Sequence, residues 1–208
     1  IGAYEWRKKG VFIPALGQAI YPHYGVFSPV RGEYVDLVAQ SPLPTVCQTA
    51  FDIGTGTGGL AVVLAQRRIT KITATDQDPR ALACAQENLQ YLGLSAQVQL
   101  QAADLFPDGR ADLIVCNPPW LPAKATTPIE YAIYDPDSHM LKAFLQGVTA
   151  HLNPQGQAWV VMSNLAELLG LRKVDDLPSW IAQAGLQVLH KIDTRPHHPK
   201  SQAQDDPL

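Results

Sequence analysis

Three carboxylates, a cluster of glycines and one Asn-Pro-Pro-Trp run are the residues of this chain whose types and spacing can do chemistry. The glycines sit in Phe51-Asp52-Ile53-Gly54-Thr55-Gly56-Thr57-Gly58-Gly59, where an apolar run meets a helical pattern. Glycine lets the backbone turn sharply there and lets a ligand approach where a Cβ would stand in the way. The spacing Gly54-x-Gly56-x-x-Gly59 also satisfies a dinucleotide fingerprint, so by itself it specifies a nucleotide-like ligand and no more. Asp52 shifts the balance. A carboxylate two residues ahead of the first glycine repels a pyrophosphate and suits a cationic amino acid group, which favours a sulfonium cofactor over NAD. About 20 residues on, Asp76 closes the next apolar run, where a carboxylate can accept both hydroxyls of a ribose. Asp104 follows a third run and can accept an adenine amino group, with Leu105 or Phe106 packed against the ring. Each acid alone reads as a cap or a surface carboxylate, whereas the three in this order make one cofactor constellation.

The fourth apolar run, Ala111-Asp112-Leu113-Ile114-Val115-Cys116, ends in Asn117-Pro118-Pro119-Trp120. Two prolines fix φ and supply no donors, leaving carbonyls free to accept. An amino group conjugated to a ring or a carbonyl is planar, and its delocalised lone pair makes it a poor nucleophile. The Asn117 side-chain oxygen and the Pro118 carbonyl can hold its two N–H groups, so that the lone pair points at a sulfonium methyl and rehybridises as charge develops. Trp120 can lie against the flat acceptor. The nitrogen becomes acidic once methylated and releases its proton to Asn117 or water, so no strong base is required beforehand. With no His or Lys within the segment, catalysis is alignment plus dipole stabilisation.

These residues need a scaffold that brings strand ends together. Short apolar runs at 49–53, 71–75, 97–101, 113–116, 158–162 and 186–192 read as strands, and 59–66, 79–92, 137–151 and 175–184 as helices. Pro79 suits a first helical turn, and Asp175-Asp176 suits a helix N-terminus. The alternation predicts an α/β, Rossmann-like, mostly parallel twisted sheet of about seven strands with helices on both faces. Residues 1–45, proline- and aromatic-rich with one helical stretch at 32–40, read as an accessory lead-in that covers the main domain or walls its substrate side. Residues 46–194 form the cofactor-binding domain and 195–208 a polar tail.

At 208 residues, 46% hydrophobic and 17% charged, the chain can bury one sizeable core. A formal net charge of -3 advertises no global basic field for nucleic acid, leaving local patches such as Arg7-Lys8-Lys9, Arg67-Arg68 and Arg172-Lys173. Cys47, Cys84 and Cys116 lack metal or redox spacing, so no metal is expected and a reduced, cytoplasmic setting fits. No membrane span or signal peptide is read. His23, His139 and His151 read as surface or capped residues, His197-His198 as a solvated pair, and Tyr131 and Tyr134 as cavity wall or packing. Ile1 in place of Met and the polar run at the other end fit a piece of a longer protein.

From about Phe27 to Ile192 the chain resembles the class I S-adenosylmethionine-dependent methyltransferases. Their first cofactor loop, hydrophobic-Asp-x-Gly-x-Gly-x-Gly, is matched by Phe51 to Gly58. The resemblance assigns Asp52, Gly54, Thr55, Gly56, Thr57, Gly58 and Asn117 to the cofactor, Asp76 to its ribose, and Asp104 and Leu105 to its adenine. Asn117 to Trp120 resembles the Asn/Asp-Pro-Pro-aromatic motif of amino methyltransferases acting on adenine, guanine or glutamine amide nitrogens. With Leu121-Pro122, the lead-in Val26 to Glu33, and Asp135-Pro136-Asp137, the segment is most similar to the glutamine methyltransferases of peptide release factors. A protein glutamine is therefore the expected acceptor, with a flipped-out or unpaired nucleic-acid base as the competitor. A silent binding module on the same fold is the third reading. Departures are Trp120 in place of Tyr, an incomplete Arg-Pro-Glu-Thr-Glu-like run, and the absence of a recognisable helical N-terminal domain.

Overall fold

A computed structural model describes residues 3–28, 32–123 and 133–195. The expectations placed on Pro29, Val30 and Arg31, on Tyr131, and on His197-His198 fall outside the described residues.

Five strands build the central sheet: β3 (Thr49–Ile53), β4 (Lys71–Asp76), β5 (Val98–Ala102), β6 (Ala111–Cys116) and β7 (Leu152–Val160), numbered after a two-strand antiparallel hairpin, β1 (Val11–Ile13) and β2 (Gln18–Ile20). The order is β5-β4-β3-β6-β7 and every pairing in it is parallel. Parallel strands need crossovers, supplied by helices that cover both faces. With the hairpin the strand total among the described residues is seven.

Helix α1 is Ala3–Lys9 and α2 is Glu33–Gln40; α3 (Gly59–Gln66) and α4 (Pro79–Tyr91) follow β3 and β4. Residues 59–65 of α3 are buried all round, so the face turned from the sheet needs a cover of its own. The lead-in supplies it: Ile13, Leu16, Ile20, Val35 and Val38 share one buried cluster with Leu60 to Ala65 and with Ala50, Ile72, Leu113 and Val115 of the sheet. The Arg67 guanidinium at the end of α3 donates to the Val38 carbonyl at 2.8 Å and ties α2 down. On the other sheet face, α5 (His139–Gly147) buries Leu141, Phe144 and Leu145 against Phe51, Ile53, Ile114 and Cys116. Helices α6 (Leu165–Leu168) and α7 (Asp176–Gln183) complete the described elements. None of the described helices is long and apolar enough to cross a membrane.

Three expectations are corrected. The run 186–192 is not a strand: Val188, Leu189 and Ile192 are at least half exposed and the segment joins no ladder among the described residues. β-branched residues mark a chain that suits a pleated surface, but a strand exists only where a partner offers its backbone groups. Strand β7 begins six residues before the apolar run at 158, because Pro154-Gln155-Gly156 is absorbed into the strand. Gln155 takes φ +64°, and the register with β6 shifts between Ala111 and Leu113. The helix expected at 137–151 is broken at its start, where Asp137 and Ser138 are both left-handed (φ +55° and +53°) in a 3₁₀ turn, and α5 runs only to Gly147.

Candidate active site

The register decides which side chains meet. Ile53 pairs with Thr75 on one side and Cys116 on the other. Gly54, Asp76 and Asn117 therefore leave three adjacent parallel strands at the same level, each strand about 4.8 Å from the next. The sheet grows from β3 through β4 to β5, then reverses to β6 and β7. The crevice at such a reversal, outside the strand carboxyl ends, is where open α/β sheets hold ligands.

The loop after β3 takes positive φ at Gly54, Gly56 and Gly58 (72°, 55° and 85°). Its path is tied at both ends: Thr55 N–H donates to the Thr75 carbonyl at 2.8 Å, and Gly58 N–H to the Thr55 carbonyl at 2.9 Å. At Gly58 a Cβ would lie 3.3 Å from the Ala85 Cβ of α4, whereas at Gly56 it would meet nothing within 4 Å. The loop thus packs tightly behind and is open in front.

Asp52 lies beneath this loop, only 1% exposed. Its Oδ2 accepts from Thr55 Oγ1 at 2.7 Å and from Ala61 N–H at 3.1 Å, bracing the start of the loop against α3. Its Oδ1 is buried with no hydrogen-bond partner. Burial pushes the carboxyl up to about 6, against the lowering effect of those two donors and with a further push from Asp76. Tyr34 of α2 is raised well above the usual phenol range by its own burial and then by Asp52, and the buried Cys116 thiol is raised by burial, then by Asp52 and Asp135. A buried, under-partnered carboxylate gains from a cation placed above the loop. That orphaned oxygen and the open front at Gly56 fit a ligand carrying positive charge.

Asp76 accepts from Gly56 N–H at 3.0 Å through Oδ2 and from Asp78 N–H at 2.9 Å through Oδ1. Each carboxylate oxygen offers two lone pairs, so the carboxylate keeps accepting capacity for a ligand hydroxyl. Burial raises its carboxyl above the ordinary range. Asp104 is exposed beyond β5, and Leu105 is held left-handed (φ +69°) with its carbonyl accepting from Thr75 Oγ1 at 2.6 Å. Such a φ costs a non-glycine residue about 1–2 kcal/mol, and here the Thr75 bond helps to hold it. Of the two residues expected against an adenine ring, Phe106 is engaged elsewhere, stacked on Phe144 and on His151.

Asn117 and Trp120 are half-buried at the end of β6, and the Trp120 indole N–H donates to Asn117 Oδ1 at 3.1 Å. Leu121 then forms a parallel bridge with Tyr134. Its N–H donates to the Ile133 carbonyl at 3.0 Å and its carbonyl accepts from Asp135 N–H at 2.8 Å. Tyr134 packs with Leu121, Leu165 and Ala166. The Asp135 carboxylate is buried and caps α5, accepting from Met140 N–H at 2.9 Å and Leu141 N–H at 3.1 Å, so it orients that helix beside the site. Among the described residues no three His, Cys, Asp or Glu side chains gather in metal-binding proximity.

Two residues at the site carry no motif signal. Met140 of α5 reaches the glycine loop, its Cε 3.4 Å from where a Gly54 Cβ would stand. Asn88 of α4, almost fully buried, donates to the Thr57 carbonyl at 3.0 Å and accepts from Tyr21 N–H at 2.8 Å, joining the glycine loop to the lead-in. The signal for Asn88 is in the helix pattern: Ala81, Cys84, Ala85, Asn88 and Leu89 form one buried stripe, and a polar residue in such a stripe must have partners.

Residues 18–170 match the family model described as the methyltransferase small domain. A release factor glutamine methyltransferase of Cereibacter sphaeroides is 34% identical over 153 residues, which cover 62% of this chain and 55% of the relative. A tRNA1(Val) (adenine(37)-N6)-methyltransferase of Shewanella halifaxensis is 29% identical over 173 residues, 79% of this chain and 67% of that one. The chain thus spans little more than half the length of the release factor relative. A ribosomal protein L11 methylase structure from Lactobacillus delbrueckii superposes with a TM-score of 0.63 at 22% identity, covering 86% of this chain and 82% of that one, a likeness of fold. With the model match extending from the hairpin strand β2 past α6, the chain belongs to the methyltransferase small domain family.

Proposed function

We propose that this chain transfers a methyl group from S-adenosylmethionine to a planar amino or amide nitrogen. The observation that carries the proposal is the register that sets Asp76, Gly54 and Asn117 side by side at three strand ends. When bound, the cofactor supplies a methyl group made electrophilic by a positively charged sulfur. Gly54, Thr55, Gly56, Thr57 and Gly58 would hold its amino acid part, with the Asp52 carboxylate beneath them supplying the negative field. Asp76 would accept the ribose hydroxyls through its spare lone pairs, Asp104 the adenine amino group, and Leu105 would lie against the base.

On the acceptor side, Asn117 Oδ1 and the Pro118 carbonyl take the two N–H groups of the planar nitrogen, turning its lone pair toward the methyl group. As the new N–C bond forms, the methyl group's bond to sulfur would break and the sulfur would leave as a neutral thioether; positive charge would pass to the nitrogen, and both oxygens would interact more strongly with its hydrogens than in the ground state, a difference that lowers the barrier. The extra proton then leaves to water. Pro119 and the Trp120 ring wall the acceptor.

A glutamine side chain of a protein is the acceptor favoured by the run Asn117 to Pro122 and by the net charge of -3. The likeness to a tRNA adenine-N6 methyltransferase over 79% of the chain supports a base amino group as the second reading. Tritiated methyl transfer into a cell lysate, treated beforehand with nuclease or with protease, tests both. Label that survives nuclease and is lost with protease supports the glutamine acceptor, the opposite pattern supports the base, and no incorporation in either contradicts the proposal.

A further inference from the structure

The contact between Trp120 and Asn117 does something a flat wall does not require. An indole nitrogen can only donate, while a carboxamide has one accepting and one donating end. The amide atom that meets Trp120 Nε1 at 3.1 Å must therefore be Oδ1. That removes the choice between the two amide orientations and leaves the second lone pair of the same oxygen for another donor. The flipped orientation would present N–H groups to an acceptor amine that is itself a donor, and the two would repel.

The backbone on both sides of the pair is fixed. Pro118 and Pro119 have restricted φ. Leu121 is clamped through Ile133 and Asp135 and buried against Leu165 and Ala166. Trp120 thus hangs between two anchored points, half-buried, with its donor edge on the side of Asn117. A phenylalanine at this position keeps an aromatic wall and has no donor to offer.

We infer that Trp120 is a positioning residue that holds Asn117 Oδ1 in the orientation able to accept from the acceptor nitrogen. Resting on the planar-nitrogen function above, this gives Trp120 a task beyond walling the acceptor: Asn117 holds the acceptor nitrogen, and the Trp120 indole N–H sets Asn117.

The full chain labelled with nitrogen-15 provides a readout independent of turnover, because its four tryptophans give four indole N–H signals. One signal, assigned by its loss in Trp120→Phe, is expected to shift in Asn117→Ala and to stay near its place in Asn117→Asp, which keeps an oxygen acceptor. No indole shift in Asn117→Ala overturns the inference. In methyl transfer to the lysate acceptor, Trp120→Phe is expected to lower turnover at saturating cofactor about tenfold, with S-adenosylhomocysteine affinity by calorimetry within about twofold and the melting temperature unchanged. Wild-type turnover in Trp120→Phe overturns the positioning role and leaves the methyltransferase proposal standing. A wild-type chain that binds S-adenosylhomocysteine and methylates nothing overturns that parent proposal instead.

Discussion

The Gly56 N–H donates to Asp76 Oδ2 at 3.0 Å, so the acid at the end of β4 holds the middle of the glycine loop. Asp76 shapes the loop with one lone pair, and in the proposed function its remaining capacity takes the ribose hydroxyls. On that proposal, removing it costs the ligand its hydroxyl partners and the loop its tether. Asp76→Ala is expected to weaken S-adenosylhomocysteine binding about a hundredfold, roughly 2.7 kcal/mol. Calorimetry checks this, with NADH as the control ligand expected to show no comparable binding.

Asp52 predicts a pH dependence with a definite sign. Its carboxyl sits at about 6 in the folded chain, above its ordinary 3.8. The folded state thus keeps the proton longer than the unfolded state, and this group's contribution to stability falls as pH rises from about 4 to about 6, by on the order of 3 kcal/mol. The ammonium group of the ligand's amino acid part prefers the ionised carboxylate, so affinity for S-adenosylhomocysteine moves the opposite way and rises across pH 5 to 7. Asp76 is shifted in the same direction by burial, and comparison with Asp52→Asn isolates the Asp52 share. Melting temperature and calorimetry over this range are expected to show both slopes reduced in the variant.

Asn88→Ala leaves the Thr57 carbonyl and the Tyr21 N–H without their buried partners. The expected loss of stability is about 2–4 kcal/mol, read as a lower urea midpoint with an unchanged slope. Because Thr57 belongs to the glycine loop, ligand affinity is expected to fall with it.

Gly56 and Gly58 separate binding from folding. An alanine at Gly58 meets both an unfavourable φ of 85° and the Ala85 Cβ at 3.3 Å, so Gly58→Ala is expected to cost about 2–3 kcal/mol of stability. At Gly56 the added Cβ finds open space, and only the strain of about 1–2 kcal/mol applies to folding. Its cost is expected instead in S-adenosylhomocysteine affinity. Thermal melts beside calorimetry on the two variants check the contrast.

Much of the scaffold is legible in the chain itself. The runs that became β3, β4, β5 and β6 lie within two residues of their observed bounds, because their apolar residues either run together, as in Leu113 to Cys116 of β6, or alternate with polar ones, as in Val98, Leu100 and Ala102 of the edge strand β5. Local pattern fails where a partner decides the outcome. Val188, Leu189 and Ile192 have strand composition and no strand to pair with among the described residues, and the three-residue strands β1 and β2 are too short for any period to show. The candidate site divides the same way. Asp52, Asp76 and Asn117 stand out by their place after apolar runs, whereas the bond from Trp120 to Asn117 depends on rotamers and the bridge through Asn88 on how a helix docks. Neither is written in residue spacing.

The most direct test of the central claim is the initial rate of tritiated methyl transfer by Asn117→Ala beside the wild-type chain, both saturated with S-adenosylmethionine. A loss of about a thousandfold, in a variant whose S-adenosylhomocysteine affinity stays within about threefold, is the predicted result. An undiminished rate would contradict transfer to a planar nitrogen held by Asn117.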